Sequence, residues 1–338
     1  MRTFLLALFT LAGAAVLPAA KNLEIYFIDV EGGQATLFVS PAGDSLLVDT
    51  GWSGHNSRDA NRIALAAKRA GVKSIDYLLI THFHEDHVGG VPQLAAKLPI
   101  RNFIDHGEDV EQDQRAKELY NAYLEYRAKG NHILAKPGVT IPVKGLDVQV
   151  LTADGDEIES PLPGAGQPNP VCATEHLKAP DPTENARSTG ILVTFGKFRA
   201  LDLGDLTWNK EHQLVCPNNK IGGVDLFIVS HHGMDLSNSA ALVHAIAPRV
   251  AIMDNGARKG GSPAAWQNVH SSPGIEDIWQ LHYAISGGKD NNSPDTFIAN
   301  IDEVGDTANW IRVTVKPDGS YTVYNARNKY SKTYSPKG

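Results

Sequence analysis

The chain has 338 residues, of which 42% are hydrophobic and 20% charged, enough to bury a large core and too apolar for a disordered chain. A formal net charge of -7 argues against a broad nucleic-acid-binding surface. Two cysteines exclude a disulfide-rich scaffold and a zinc site made of thiolates alone.

Arg2, an apolar run over 4–11 and small residues up to Ala20 read as a secretory signal peptide over 1–20, followed by one domain over 21–338. Gly13 and Pro18 hold the apolar run below the ~20 residues that span a bilayer, so no integral membrane anchor is expected. The expected location is secreted or periplasmic. There Cys172 and Cys216 have two open readings, a disulfide or two buried thiols.

Strands are predicted over 23–30, 35–40 and 45–49, separated by Gly-Gly and Pro-Ala-Gly-Asp turns. A helix over 58–70 stops at Gly71. A buried strand over 76–80 runs straight into Thr81-His82-Phe83-His84-Glu85-Asp86-His87, and a helix follows to about residue 98. Next come a strand over 101–105, a polar helix over 112–129 whose Tyr120, Tyr123 and Tyr126 pack on one face, and a strand over 146–151. Residues 154–187 hold six prolines and few large apolar side chains, which predicts a long insertion loop. Beyond it lie a hairpin over 191–203, a helix over 206–215, and a strand over 224–229 ending in Ser230-His231-His232-Gly233. A helix over 239–246, a strand over 250–253, a short helix near 275–281 and strands over 297–301, 310–315 and 321–324 complete the chain. Strands alternating with helices, joined partly by hairpins, predict mixed sheets flanked by helices.

His82, His84, Asp86 and His87 place four potential ligands within six residues at a strand end. Imidazole and carboxylate are the ligand set of zinc and its neighbours. Asp205 and the tandem His231-His232 end two later strands. One tetrahedral ion cannot use all these groups, so two divalent ions are expected, Zn2+ first, with Mn2+ or Fe2+ as alternatives.

His82-Phe-His84-Glu-Asp86-His87 resembles the H-x-H-x-D-H signature of the metallo-β-lactamase superfamily. Asp49-Thr50-Gly51 before it, and Gly204-Asp205 and His231 after it, follow the same order. Asn185-Ala-Arg187-Ser188, Ser230-His231-His232-Gly233, and Asn255-Gly256 up to Ser262-Pro263 resemble the branch attached to bacterial competence DNA-uptake channels. The resemblance implies an α/β fold, an αββα four-layer sandwich of two mixed sheets flanked by helices. It also implies that His82 and His84 bind one metal, that Asp86, His87 and His231 bind the other, and that Asp205 bridges them. Asp49 would orient a ligand imidazole. His231 and His232 compete for one role; His231 is taken as the ligand, and His232 then faces substrate or protonates a leaving group. Most members supply another His before the bridging Asp, but residues 185–188 hold none. His106 is the first candidate to replace it, and His176 a weaker one.

Two ions sharing a bridging hydroxide supply the nucleophile, so no Ser or Cys nucleophile is needed. Asp86, Asp205 and His232 are therefore the candidate catalytic residues. Arg258 and Lys259, in a Gly-rich loop, either hold an anionic substrate or form a solvated turn. Gly32-Gly33-Gln34 either lines the same cleft or forms an ordinary hairpin turn, the second reading being preferred. The expected function is an exported hydrolase of a phosphodiester or related phosphoester, small or polymeric, with no stable nucleic-acid complex. An acyl hydrolase acting on a lactam, lactone or thioester shares the same site chemistry. A non-catalytic metal-binding protein and an iron oxidoreductase of this fold are the alternatives of another class. The isolated His55, His132, His212, His244, His270 and His282 are read as structural.

Overall fold

In the strand Leu23–Phe27, Leu23, Ile25 and Phe27 enter one apolar core while Tyr26 enters another. The same two-residue period sends Leu46 and Val48 one way and Leu47 the other, because successive side chains leave opposite faces of a pleated sheet. Both faces are apolar, so each sheet must be covered twice. A computed structural model describes residues 21–302 and 307–337. The predicted signal segment lies outside the described residues.

The first sheet runs in the order Ser331–Tyr334, Tyr321–Asn325, Ile311–Val315, Leu23–Phe27, Thr36–Val39, Ser45–Val48, Ile75–Leu79, Ile100–Asp105, Asn131–Leu134. It is antiparallel as far as Ser45–Val48 and parallel beyond it. The second runs Ile298–Asn300, Asp277–His282, Val250–Met253, Leu226–Ile228, Phe198–Asp202, Gly190–Phe195, Asp147–Ala153, Thr140–Ile141, with Asp156–Glu157 paired to Asp147–Ala153. Its strands are parallel from Phe198–Asp202 to Ile298–Asn300. One core fills the space between the sheets. The helices Arg58–Arg69 and Gln114–Arg127 cover the outer face of the first sheet. Trp208–Val215, Ala240–Ile246 and Pro263–His270 cover that of the second. This is the expected αββα sandwich. Tyr123 is buried among these side chains and its hydroxyl donates to Asp105 Oδ2 at 2.6 Å, a packing role as expected.

One element differs in kind. The predicted helix near 275–281 is the strand Asp277–His282, paired in parallel on both sides. Ile278 enters one core and Trp279 and Leu281 the other, a two-sided burial that a strand achieves and a surface helix does not. The helix of this region is instead Pro263–His270, started by the Ser262 side chain accepting from Ala265 N and by Pro263 in the first turn.

Residues 154–187 are irregular apart from Asp156–Glu157 and two single 3-10 turns, Pro170–Ala173 and Glu184–Arg187. A Cys172–Cys216 disulfide ties this insertion to the end of the helix Trp208–Val215. The closed loop, a separation of 44 residues, corresponds to about 4 kcal/mol of chain entropy. Replacing both cysteines with serine is expected to lower unfolding stability by about 2–4 kcal/mol in a denaturant titration. An unchanged midpoint would show that the insertion is held without the bond. No described helix is long and apolar enough to cross a membrane.

Candidate metal centre

The chemistry-bearing residues follow the C-terminal ends of parallel strands in both sheets. The run from His82 to His87 follows Ile75–Leu79, and Asp205 follows Phe198–Asp202. His231 and His232 follow Leu226–Ile228, and Asp254 follows Val250–Met253. Asp86, His87, Asp205 and His232 are buried, and one ligand atom from each lies within 4.8 Å of all the others. His232 Nε2 is 3.1 Å from Asp86 Oδ2 and 3.3 Å from His87 Nε2. His87 Nε2 is 3.3 Å from Asp205 Oδ2. The same oxygen is 3.3 Å from His231 Nε2 and 3.9 Å from His82 Nε2. His84 Nδ1 is 3.0 Å from His82 Nε2. Asp205 Oδ2 is thus shared by the imidazoles of His87, His231 and His82.

The place beside Asp86 and His87 expected of His231 is taken by His232. His232 Nε2, not that of His231, contacts Asp86 Oδ2 and His87 Nε2, while His231 Nε2 reaches Asp205 Oδ2. The cause is local. Both residues hold left-handed backbone angles, φ 53° and 54°, inside the turn Ser230–Gly233. Their rings splay to 6.2 Å between centroids at 75°. Such angles are costly for a side-chain-bearing residue and persist only where neighbours over-determine them. His231 N donates to Gly204 O at 3.0 Å, and His232 O accepts from Gly261 N at 2.9 Å.

Carboxylates stand behind the imidazoles of the cage. Asp49 Oδ2 is 2.7 Å from His87 Nδ1 and accepts from Thr81 Oγ1 at 2.7 Å, which turns His87 Nε2 inward. Asp254 Oδ1 lies 3.3 Å from His232 Nδ1, an ion-pair contact without hydrogen-bond geometry. The sequence reading found Asp49 and missed Asp254, whose only signal is a carboxylate at a strand end before Asn-Gly. It also missed Glu184, which accepts from Phe83 N at 3.0 Å and Val110 N at 2.9 Å. His106 is Glu184's partner at 2.9 Å and packs on Phe83, so it stands behind the cage and not in it. His176 is exposed on the insertion.

The hairpin Gly32-Gly33-Gln34 is more than a turn. A Cβ at Gly33 would lie 2.4 Å from Asp86 O, so only glycine lets the hairpin close on the cage. Gln34 Nε2 then reaches Asp202 Oδ2 at 2.7 Å. Lys259 Nζ contacts Asp86 Oδ2 and lies 4.9 Å from the Trp52 ring centroid.

The electrostatics fit divalent cations. Burial opposes charge on His87, yet Asp205, Asp86 and Asp49 hold it well above the usual imidazole range. Burial and Lys259 oppose charge on His232, yet Asp205 and Asp254 bring it up to about 10. Burial penalises ionised Asp205 and Asp86, but the surrounding cations keep both well below the carboxylate range. The cage therefore draws positive charge, which protons or metal ions supply in competition. Asp205 Oδ1 is buried with no hydrogen-bond partner among the described residues, a lone pair left for a cation. Five imidazoles, those of His82, His84, His87, His231 and His232, and the two carboxylates of Asp86 and Asp205 suit zinc and its neighbours.

Asp202, three residues earlier, is a buried carboxyl outside the cage. Burial pushes it up to about 7 despite the hydrogen bonds from Gln34 Nε2 and Gly204 N. Its stabilising contribution is complete below about pH 4 and is lost as pH rises through 7. The interval from 3.8 to about 7 corresponds to about 4 kcal/mol. Wild type is expected to lose melting temperature relative to Asp202→Asn between pH 4 and pH 8. Parallel curves would place Asp202 ionised throughout.

Two mixed sheets flanked by helices, with this cage at the strand ends, make a metallo-β-lactamase-type fold with a candidate site for divalent cations. Residues 28–173 match the family model of the metallo-beta-lactamase superfamily. It is similar to Recombination protein 2 of Haemophilus influenzae, 26% identical over 235 residues, 69% of this chain and 24% of that protein. It is also similar to Ribonuclease Z of Alkaliphilus oremlandii, 34% identical over 64 residues, 19% of this chain and 18% of that protein. The chain thus spans about a quarter or less of these relatives' length. Among solved structures it resembles the metallo-beta-lactamase fold protein YhfI from Bacillus subtilis. That match has a TM-score of 0.47 and 14% identity, covering 76% of this chain and 96% of the other.

Proposed function

We propose that the chain is an exported, metal-dependent hydrolase of phosphodiesters or related phosphoesters. The observation that carries this reading is Lys259, a cation held at the cage by Asp86 and the Trp52 face. A phosphoryl group presents anionic oxygens to such a cation, and a lactam carbonyl does not. The names of the relatives, a ribonuclease and a recombination protein, support the same substrate class.

Asp86, His87 and His232 with Asp205 would hold one ion; His82, His84 and His231 with Asp205 would hold the other. His231 then supplies the donor missing from residues 185–188. Two divalent ions, when bound, make water nucleophilic near neutral pH and offset charge developing on phosphoryl oxygens. Asp49 keeps His87 in a single orientation, and Asp254 places a negative charge behind His232. Lys259 orients the anionic ester, and the Gly33 hairpin walls off one side of the cage.

Purified, zinc- or manganese-loaded protein is expected to hydrolyse bis(p-nitrophenyl) phosphate and to leave a chromogenic cephalosporin intact. Turnover of the cephalosporin alone would sink the reading. Lys259→Ala is expected to raise KM for the phosphodiester about 10-fold or more, with metal content unchanged, because a charge-assisted hydrogen bond contributes about 1.5–3 kcal/mol. An unaltered KM would return Lys259 to a surface role. Export is tested by mass spectrometry of the secreted or periplasmic protein, which should lack residues 1–20.

A further inference from the structure

The disulfide that ties the Pro-rich insertion down has a third side chain beside it. Cys172 lies in the 3-10 turn Pro170–Ala173, and Cys216 caps the helix Trp208–Val215. His212 stands four residues before Cys216 on that helix, where a period of about 3.6 residues puts both on one face. One ring nitrogen of His212 and the two Sγ atoms lie within 4.8 Å of one another, and all three residues are half-buried, each keeping part of its surface open to solvent. The sequence reading took His212 as structural.

Two thiolates and an imidazole are a strong ligand set for zinc and other soft divalent cations, and the disulfide masks that set. On one tetrahedral ion two thiolates stand roughly 3.8 Å apart, the span of two Zn–S bonds of about 2.3 Å at the tetrahedral angle. The Cα atoms of Cys172 and Cys216 are 5.8 Å apart, so rotation about the Cα–Cβ bonds opens that gap without moving the backbone. Charge balances too: two thiolates neutralise a divalent ion, and neutral His212 adds a lone pair.

The two cysteines are also held face to face by contacts other than their own bond. Asn169 N donates to Pro217 O at 2.9 Å, and Asn219 N donates to Gln167 O at 2.9 Å. The buried Asn169 side chain donates through Nδ2 to Ala241 O at 3.0 Å and stands 3.9 Å from Cys216 Sγ, a weak donor to a thiolate there. Breaking the S–S bond therefore leaves both sulfurs and the imidazole at one place.

We propose that Cys172, Cys216 and His212 form a redox-gated site for a thiophilic divalent cation, masked in the disulfide state and open once the bond is reduced. A dithiol donor gives up two electrons and two protons and becomes a disulfide itself; the Cys172–Cys216 bond breaks and two thiols form. The cation then displaces both thiol protons and takes a lone pair of His212. The insertion stays clasped to the helix in either redox state. The site is separate from the cage and rests neither on its metals nor on the phosphoester reading. Cobalt(II) titration of the full chain, oxidised and after reduction with a phosphine, tests it. The chain has two cysteines and the cage uses no sulfur, so a thiolate-to-cobalt charge-transfer band reports this site alone. Reduced protein is expected to show the band and to take up about one cobalt more per chain than oxidised protein, with matching circular dichroism. His212→Ala, which keeps both thiols, should weaken that extra equivalent at least about tenfold, since even an indirect partner of a metal is worth that much. No band in the reduced protein, or a band that His212→Ala leaves at full affinity, overturns the proposal. So does a band carried only by a dimer, or a loss of fold on reduction that cobalt does not reverse.

Discussion

Alanine at position 205 is expected to lower phosphodiester turnover by at least about 10³-fold while the chain remains folded. Asp205 is the one carboxylate that both donor groups share. Its Oδ2 lies 3.3 Å from His87 Nε2 and 3.3 Å from His231 Nε2. Removing it opens both groups at once, so metal content should fall for both ions and not for one. The strand end does not depend on this side chain, because Asp202 Oδ1 receives Gly204 N and His231 N donates to Gly204 O. Circular dichroism should therefore match wild type. Turnover at the wild-type rate would remove Asp205 from the mechanism, and loss of the folded signal would make it a structural residue.

The second large effect separates the tandem imidazoles. His232→Ala is expected to lose about one metal equivalent and at least about 10²-fold in turnover, since His232 stands with Asp86 and His87 in the tightest group of donors. His231→Ala should loosen the other ion, which keeps His82, His84 and Asp205, and should respond to added metal. Elemental analysis and turnover at increasing zinc concentration distinguish the two. If His231→Ala proves the more damaging and cannot be rescued by metal, the assignment by sequence order was the correct one.

Much of this site is visible in the chain itself. The run from His82 to His87 is dense in ligands and sits where a buried strand stops, so its chemistry needs no tertiary information. Asp205 and the His231-His232 pair are legible for the same reason. Which of the two imidazoles turns inward is not, because that depends on left-handed angles fixed by Gly204 and Gly261 on other elements. Asp254 and Glu184 are equally hidden: an acidic residue beside a loop has no periodic signature, and only the fold shows what it faces. The misread segment at 275–281 has a related cause. Ile278, Trp279 and Leu281 are apolar on both faces, a pattern that short buried strands and helices share.

The most direct test is to remove metal stepwise with a chelator, following metal equivalents per chain and bis(p-nitrophenyl) phosphate turnover in the same samples. Two equivalents in the active protein, with turnover falling as they leave and returning when zinc or manganese is restored, is the expected result. Undiminished turnover in protein stripped below about a tenth of an equivalent would contradict a cage built to hold two cations.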